Sequence, residues 1–275
     1  MAVIVPAADE EEHIGDCLSA IRAAAGCLYR ETGIPARVIL VLDRCLDQTA
    51  TIARRPAGVE LVTVSARNVG AARRAGAGCA LAGPGRPSEL WLASTDADSK
   101  VPARWLTGML AEARAGANLV LGTVVPGPGL GLARRRAWSG RHQLRDGHPH
   151  VHGANLGVRG DAYLALGGWP ALPTGEDTEL ARRAAAAGCC TTSATGTCGR
   201  YWTGQQAHSR TAARCWPCTG GTLSPTIPAA ATAPMRCSPR SRDWPGSPRI
   251  PRPISGPRYT SGPTGPRSPW LRPAA

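Results

Sequence analysis

Leu90-Trp91-Leu92-Ala93-Ser94-Thr95-Asp96-Ala97-Asp98 is an apolar run of strand length that delivers an Asp-x-Asp at its C-terminal end. Open α/β sheets bind ligands outside the carboxyl ends of their strands, and two neighbouring carboxylates there offer hard oxygen ligands for Mg²⁺ or Mn²⁺ carrying a diphosphate. Taken alone, the same residues also suit a turn or a helix cap, because Asp98-Ser99 shortly precedes Pro102. A second acidic pair, Glu176-Asp177, follows about eighty residues later in Pro173-Thr174-Gly175-Glu176-Asp177-Thr178-Glu179-Leu180. Two acidic sites in one α/β chain suggest a metal and a base.

The flanking sequence supports the strand assignment. Continuous apolar runs at 2–6 and 38–42 suit parallel strands covered on both faces. Further strands are expected at 59–64 and 118–124, with helices between them at 10–25, 47–54 and 71–81. Ile14, Cys17, Leu18, Ile21 and Ala25 share one helical face, and Asp47 is the expected N-cap of the short second helix. Pro102 fits the first position of a helix whose Trp105, Leu106, Met109, Leu110 and Ala113 face inward. A last helix spans 176–187, with Gly188 suited to its C-terminal cap. The alternation of strands and helices argues for a mostly parallel α/β sheet.

Charge and cysteine both change near residue 188. The segment 189–275 holds 11 arginines and one acid, Asp243, and so carries +10 of the net +13. A basic surface for nucleic acid or anionic lipid is therefore not implied for residues 1–188, and any such contact rests on the tail. Cys17, Cys27, Cys45 and Cys79 precede the change, and Cys189, Cys190, Cys198, Cys215, Cys218 and Cys237 follow it. The spacing of Cys198, Cys215, Cys218 and Cys237 with His208 fits no paired zinc knuckle, which leaves incidental thiols. No segment reaches the roughly 18 uninterrupted apolar residues of a membrane helix. Strand character begins at Ala2 with no signal-like region ahead of it, so the expected location is cytoplasmic or peripheral to a membrane.

After Gly188 hydrophobic periodicity stops, prolines recur every few residues and tryptophans stand isolated. Such a chain cannot bury enough apolar surface to offset its ordering entropy, so 189–275 is expected to form a disordered basic tail. Its mixture of Pro, Arg, Ser, Thr, Gly, Cys and Trp is also what an off-frame reading of a GC-rich gene produces. The two explanations stay side by side.

Several segments of 2–188 share an order with a known family. They are Val3-Ile4-Val5-Pro6-Ala7-Ala8-Asp9-Glu10-Glu11, Val41-Leu42-Asp43-Arg44-Cys45-Leu46-Asp47-Gln48-Thr49, Asn68-Val69-Gly70-Ala71-Ala72-Arg73, the Asp96/Asp98 pair, Gly153-Ala154-Asn155-Leu156-Gly157-Val158-Arg159, Gly167-Gly168-Trp169 and Gly175-Glu176-Asp177. In this order the chain resembles family 2 glycosyltransferases, which implies a GT-A fold, a glycosyltransferase domain at 1–188 and a UDP- or GDP-sugar donor. It also settles the Asp-x-Asp as ligands. Asp98 is the first expected metal ligand, and Asp96 either shares the ion or accepts from the ribose hydroxyls.

The resemblance implies further roles. Pro6 and Glu10 belong to the nucleotide loop, Asp43 matches the residue that recognises the base, and Arg73 matches an arginine near the nucleotide that pairs with a phosphate oxygen. Arg73 also fits a solvated helix charge beside Arg74. Gly153 and Asn155 stand where backbone approaches the sugar closely, although a tight turn needs the same residue types. Asp177 matches the base that takes the proton of the acceptor hydroxyl in an inverting transfer, and Glu176 is its alternative. Both also complement the dipole of the helix they begin. The chain departs from the family at Ala8, where Arg is frequent, at Glu10, where Asn is usual, and at Leu42-Asp43, where an Asp pair is common. Residues 126–150, with Pro126-Gly127-Pro128-Gly129, Arg134-Arg135-Arg136 and the histidines from His142 onward, read either as a lid on the acceptor side or as a solvated insertion.

Two competing functions remain at this point. A nucleotidyltransferase would need a basic phosphate grip after the first strand, and Ala7-Ala8-Asp9-Glu10 offers none. A catalytically impaired nucleotide-sugar-binding protein or a truncated product differs from the enzyme by donor turnover alone. The hydroxyl acceptor is not legible.

Overall fold

The computed structural model describes residues 1–127, 131–142 and 144–198, with no side-chain description for 194–198. In chain order its strands are β1 (Ala2–Ala7), β2 (Arg37–Asp43), β3 (Val59–Val64), β4 (Trp91–Ser94), β5 (Leu119–Val124), β6 (Leu156–Arg159) and β7 (Thr191–Cys198). The helices are α1 (Ile14–Thr32), α2 (Thr49–Ala53), α3 (Val69–Leu81), α4 (Trp105–Arg114), α5 (Leu132–Ser139), α6 (Gly160–Ala165) and α7 (Glu176–Ala186). They build one seven-stranded sheet of order β3-β2-β1-β4-β6-β5-β7.

Pairing is parallel except at β6, which runs antiparallel to both β4 and β5. Every residue of β1 is buried, as is β2 beyond Arg37, because helices cover both faces. Strand alternation then sorts the core into two layers. Val3, Val5, Val38 and Leu40 pack with Ile14, Leu18 and Ile21 of α1 and Leu106 and Leu110 of α4. Ile4, Ile39, Val41 and Leu92 pack with Ala72 and Ala75 of α3, Trp169, and Leu180 of α7. The strand order reverses where β1 meets β4, the place at which an open sheet leaves a crevice at its carboxyl ends.

The expected fold class is what forms, with local differences. α1 begins at Ile14 and runs to Thr32, where Gly33 closes it with φ 71° and an N–H donated to Tyr29 O. Pro102 lies ahead of α4, accepting from Trp105 N–H at 3.0 Å rather than opening the helix. Gln48 and not Asp47 stands at the N-cap of α2; Asp47 precedes it, and its Oδ1 takes the Thr49 N–H at 2.9 Å. Within 126–150 a two-turn helix forms, α5, none of whose residues is buried.

The boundary at 188 falls short. α7 does end with Gly188 at φ 63°, yet the chain then re-enters the sheet as β7, parallel to β5 over Leu119↔Thr191 to Gly122↔Ala194. Thr191-Thr192-Ser193 carries no hydrophobic alternation, so its pairing comes from the open edge of β5 and not from its own sequence signal. The rest of the expected tail, including His208, Cys215, Cys218 and Cys237, lies outside the described residues. Among the described residues Cys17, Cys27, Cys45, Cys79, Cys189 and Cys190 form no disulfide. No described helix is long and apolar enough to cross a membrane.

Candidate functional site

At the carboxyl ends of β1, β2 and β4 lies a cleft of about 810 Å³. Its walls come from the loops after those strands, the start of α3, the turn ahead of β6 and the start of α7. Nine of the ten expected site residues line it: Pro6, Glu10, Asp43, Arg73, Asp96, Asp98, Gly153 and the Glu176-Asp177 pair as neighbours on α7, with Asn155 outside.

Arg73 organises this array. It leaves α3 almost wholly buried, donates from Nε to Ser94 Oγ at 3.1 Å, and pairs through Nη2 with Asp96 Oδ1 and through Nη1 with Glu176 Oε1. It is therefore not a solvated charge, and both of its terminal nitrogens already pair with carboxylates. Its guanidinium joins the strand that carries the Asp-x-Asp to the helix that carries the second acidic pair. Gly153 lies against the same guanidinium, and a Cβ there would come within 2.5 Å of it. That contact supplies a physical reason for glycine at this turn.

Glu176, though it lines the cleft, is 3% exposed and its carboxylate is engaged by Arg73. Asp177 is half-buried, and its carboxylate accepts from Gly153 N–H at 2.6 Å and from Thr178 N–H at 2.6 Å. Those two bonds fix its orientation, and they leave lone pairs on both oxygens for an incoming proton donor.

Asp96 and Asp98 differ. Asp96 is pinned by Arg73, whereas Asp98 is exposed at the cleft. Burial pushes the Asp96 carboxyl above the ordinary carboxylate range, Arg73 opposes that shift and Asp98 adds to it. Glu10 is raised in the same direction, by burial first and by Asp98 next. Three carboxylates thus crowd one end of the cleft, an arrangement that a divalent cation would relieve. Among the described residues no group of three or more His, Cys, Asp or Glu side chains has metal-holding geometry. Two carboxylates still suit Mg²⁺ or Mn²⁺, because such ions keep several waters and take their remaining ligands from substrate phosphates.

Asp43 is committed to the protein. It is 6% exposed, with Oδ1 accepting from Ala66 and Arg67 N–H and Oδ2 from Asn68 N–H, all at 2.8–2.9 Å. Three of about four acceptor sites are thereby filled. Asn155 departs further from its expected place. It is buried, takes the indole N–H of Trp105 at 2.9 Å and donates to Thr123 O at 2.9 Å, tying α4 to β5 beneath the site.

Several cleft residues carried no sequence signal. Asp9, Arg44 and Arg67 all sit in left-handed backbone, with φ of 55°, 56° and 48°, and all three line the cleft. Asp9 Oδ1 takes the Leu46 N–H at 2.6 Å, Asp47 Oδ2 takes the Glu11 N–H at 2.9 Å and Glu11 Oε2 takes the Gln48 N–H at 2.8 Å. The loops after β1 and β2 are laced together by these bonds. Only the density of acids at 9–12 and 47 hinted at it. His152 also lines the cleft, half-buried, ahead of Gly153.

The family model for glycosyl transferase family 2 matches residues 2–162, which is more than half of the chain. The protein belongs to that family. No curated protein matches its sequence. Among solved structures it is similar to the mannosyltransferase PcManGT from Pyrobaculum calidifontis in complex with GDP-Man and Mn²⁺, at 21% identity and a TM-score of 0.52, over 72% of this chain and 56% of that one. It is also similar to S. aureus TarS 1–349 in complex with UDP, at 15% identity and a TM-score of 0.49, over 72% and 60%. A third is M. tuberculosis glucosyl-3-phosphoglycerate synthase, at 16% identity and a TM-score of 0.49, over 75% and 73%. At such identities the likeness is one of fold, and this family 2 chain spans a little over half the length of the first two.

Proposed function

We propose that this family 2 protein transfers a sugar from UDP or GDP to a hydroxyl acceptor, with inversion and with a divalent metal. The observation that carries the reading is the Arg73 bridge between Asp96 and Glu176, which joins the strand end that carries Asp98 to the helix start that carries Asp177. That spacing of roles is what the chemistry needs. One carboxylate group neutralises the leaving diphosphate and a separate carboxylate takes the acceptor proton.

Asp98, with the Asp96 oxygen not engaged by Arg73, would hold the ion, and a bound Mg²⁺ or Mn²⁺ supplies Lewis-acid stabilisation of the departing diphosphate. Pro6 and the laced loops after β1 and β2 form the wall for the nucleoside. Asp177 accepts the hydroxyl proton of the acceptor, and the Gly153 and Thr178 N–H groups keep it aimed. Arg73 and Glu176 act through position.

Calorimetry on the full chain tests the reading. UDP or GDP is expected to bind with Mn²⁺ present and to lose that binding in Asp98→Ala. Nucleotide binding that ignores both metal and Asp98 would remove the metal from the proposal, and no nucleotide binding at all would overturn it.

A further inference from the structure

The segment between β5 and β6 carries chemistry that the donor site does not use. Residues 131–152 hold five arginines, four histidines and one acid, Asp146. Their helix α5, Leu-Ala-Arg-Arg-Arg-Ala-Trp-Ser, buries none of its residues, so packing does not explain its sequence.

The histidines are assembled. His142 stacks on Trp138 with ring centroids 4.2 Å apart and planes 8° from parallel. His150 follows at 4.9 Å and His152 at 5.8 Å from His142, with His148 5.8 Å from His150. Tilts between these imidazoles stay within 19–32°. Rings stacked in this way do not converge their nitrogens on a point, which agrees with the lack of metal-holding geometry among the described residues. The inner end of the ladder, His152, lines the cleft and lies within the field of Asp177. Its outer end, His142, rests on Trp138 of α5, where Arg134 and Arg136 are exposed, as is Arg141 just beyond the helix.

Charge explains what such a ladder is for. At the end of the cleft where Glu10, Asp96 and Asp98 crowd together, an anionic group on the acceptor meets repulsion. The wall above Asp177 offers the opposite sign. Burial and the neighbouring His142 and His150 hold the pKa of His152 below its ordinary value, and an anion beside that ring would offset the cost of charging it. A neutral acceptor would have no use for this wall.

We infer that His142, His150 and His152, with the exposed arginines of α5, form the acceptor subsite, and that the acceptor carries a phosphate or carboxylate group beside its reacting hydroxyl. The inference rests on the donor site and the base proposed above. In the transfer the acceptor oxygen bonds to the anomeric carbon, its proton passes to Asp177, and the bond to the diphosphate oxygen breaks with its electron pair leaving on the nucleoside diphosphate. The anionic group stays on the ladder throughout and bears no part in the bond changes.

The test uses the full chain, with inorganic phosphate and acetate as separate probes. Histidine ring signals are followed by NMR and affinity by calorimetry, with saturating nucleotide and diamagnetic Mg²⁺ present so that the donor site is closed to the probe. Saturable binding of one probe is expected, with shifts at His142, His150 and His152, and the preferred probe tells phosphate from carboxylate. His142→Ala with His150→Ala is expected to weaken it by about tenfold or more, as loss of a charge-assisted hydrogen bond does, while UDP or GDP affinity holds. Should that variant fail to fold, Arg134→Gln with Arg136→Gln, both exposed, replaces it with the same expected direction. No binding of either probe, or binding that the variants leave intact, would overturn the inference. Anion binding at the ladder of a protein that binds no nucleotide would overturn the acceptor role together with the donor reading, whereas nucleotide binding without anion binding would overturn the subsite alone.

Discussion

Arg73 on α3 and Glu176 at the start of α7 form an ion pair in which each side chain is 4% exposed. A charge taken that far from water survives only when paired, and here the pair lies directly behind the two acids that face the cleft. The first turn of α7 therefore depends on an arginine anchored on α3 and shared with Asp96.

Glu176→Ala should accordingly act through the fold. Removing one partner of a buried pair costs about 3–5 kcal/mol, and the remaining bonds of Arg73 to Asp96 and Ser94 offset part of that. Denaturant unfolding should show the loss as a lower midpoint. Replacing both Arg73 and Glu176 by methionine should be less damaging to stability than Glu176→Ala, since no buried charge is left over. A midpoint unchanged in Glu176→Ala would mean that the carboxylate is dispensable to the fold and would return it to consideration as a base.

Asn155 separates a structural from a binding role. Asn155→Ala strands the Trp105 indole N–H and the Thr123 carbonyl in the core, at a cost of about 1–3 kcal/mol for each group left unsatisfied. Its melting temperature should fall while nucleotide affinity, measured well below melting, stays at the wild-type value. A drop in affinity without a drop in stability would restore Asn155 to the sugar site.

The sequence carried the strands well because β1, β2, β4 and β5 are apolar runs whose length and spacing admit few alternatives. It also carried the cleft, since Asp96, Asp98 and Asp177 sit next to strand ends or a helix start, where local position predicts direction. What it hid were interactions between distant residues. Nothing near Arg73 announces that Glu176 will reach it from 103 positions away, and nothing in Asp43 tells a base-binding carboxylate from one that holds Ala66, Arg67 and Asn68. β7 was illegible for another reason: a polar edge strand is specified by the neighbour it pairs with, and Thr191-Thr192-Ser193 has little character of its own.

Glu10 offers a test through pH. Its folded pKa is raised, by burial and then by Asp98, so the protonated form is favoured in the folded protein. Its contribution to stability is full below the unfolded pKa, about 4.3, and is lost as pH rises through the folded value. At neutral pH the ionised side chain works against the fold. Glu10→Gln should then raise the melting temperature at neutral pH, and the gain should vanish near about pH 4. Added Mn²⁺ should shrink the neutral-pH gain by relieving the same repulsion. A gain equal at both pH values would show that the charge of Glu10 is not its cause.

Gly153→Ala probes the turn that joins Arg73 to Asp177. The new Cβ would lie 2.5 Å from the guanidinium, and the buried Arg73 cannot yield without disturbing Asp96 or Glu176. Overpacking of this kind costs about 1–3 kcal/mol, readable in a thermal melt. Function should suffer more than stability, because the Gly153 N–H also aims Asp177. In a donor-turnover assay the variant should lose rate while its metal-dependent nucleotide affinity, set by Asp98, changes little. Equal losses of rate and nucleotide affinity would instead mean that the turn shapes the whole cleft and that Asp177 has no separate dependence on it.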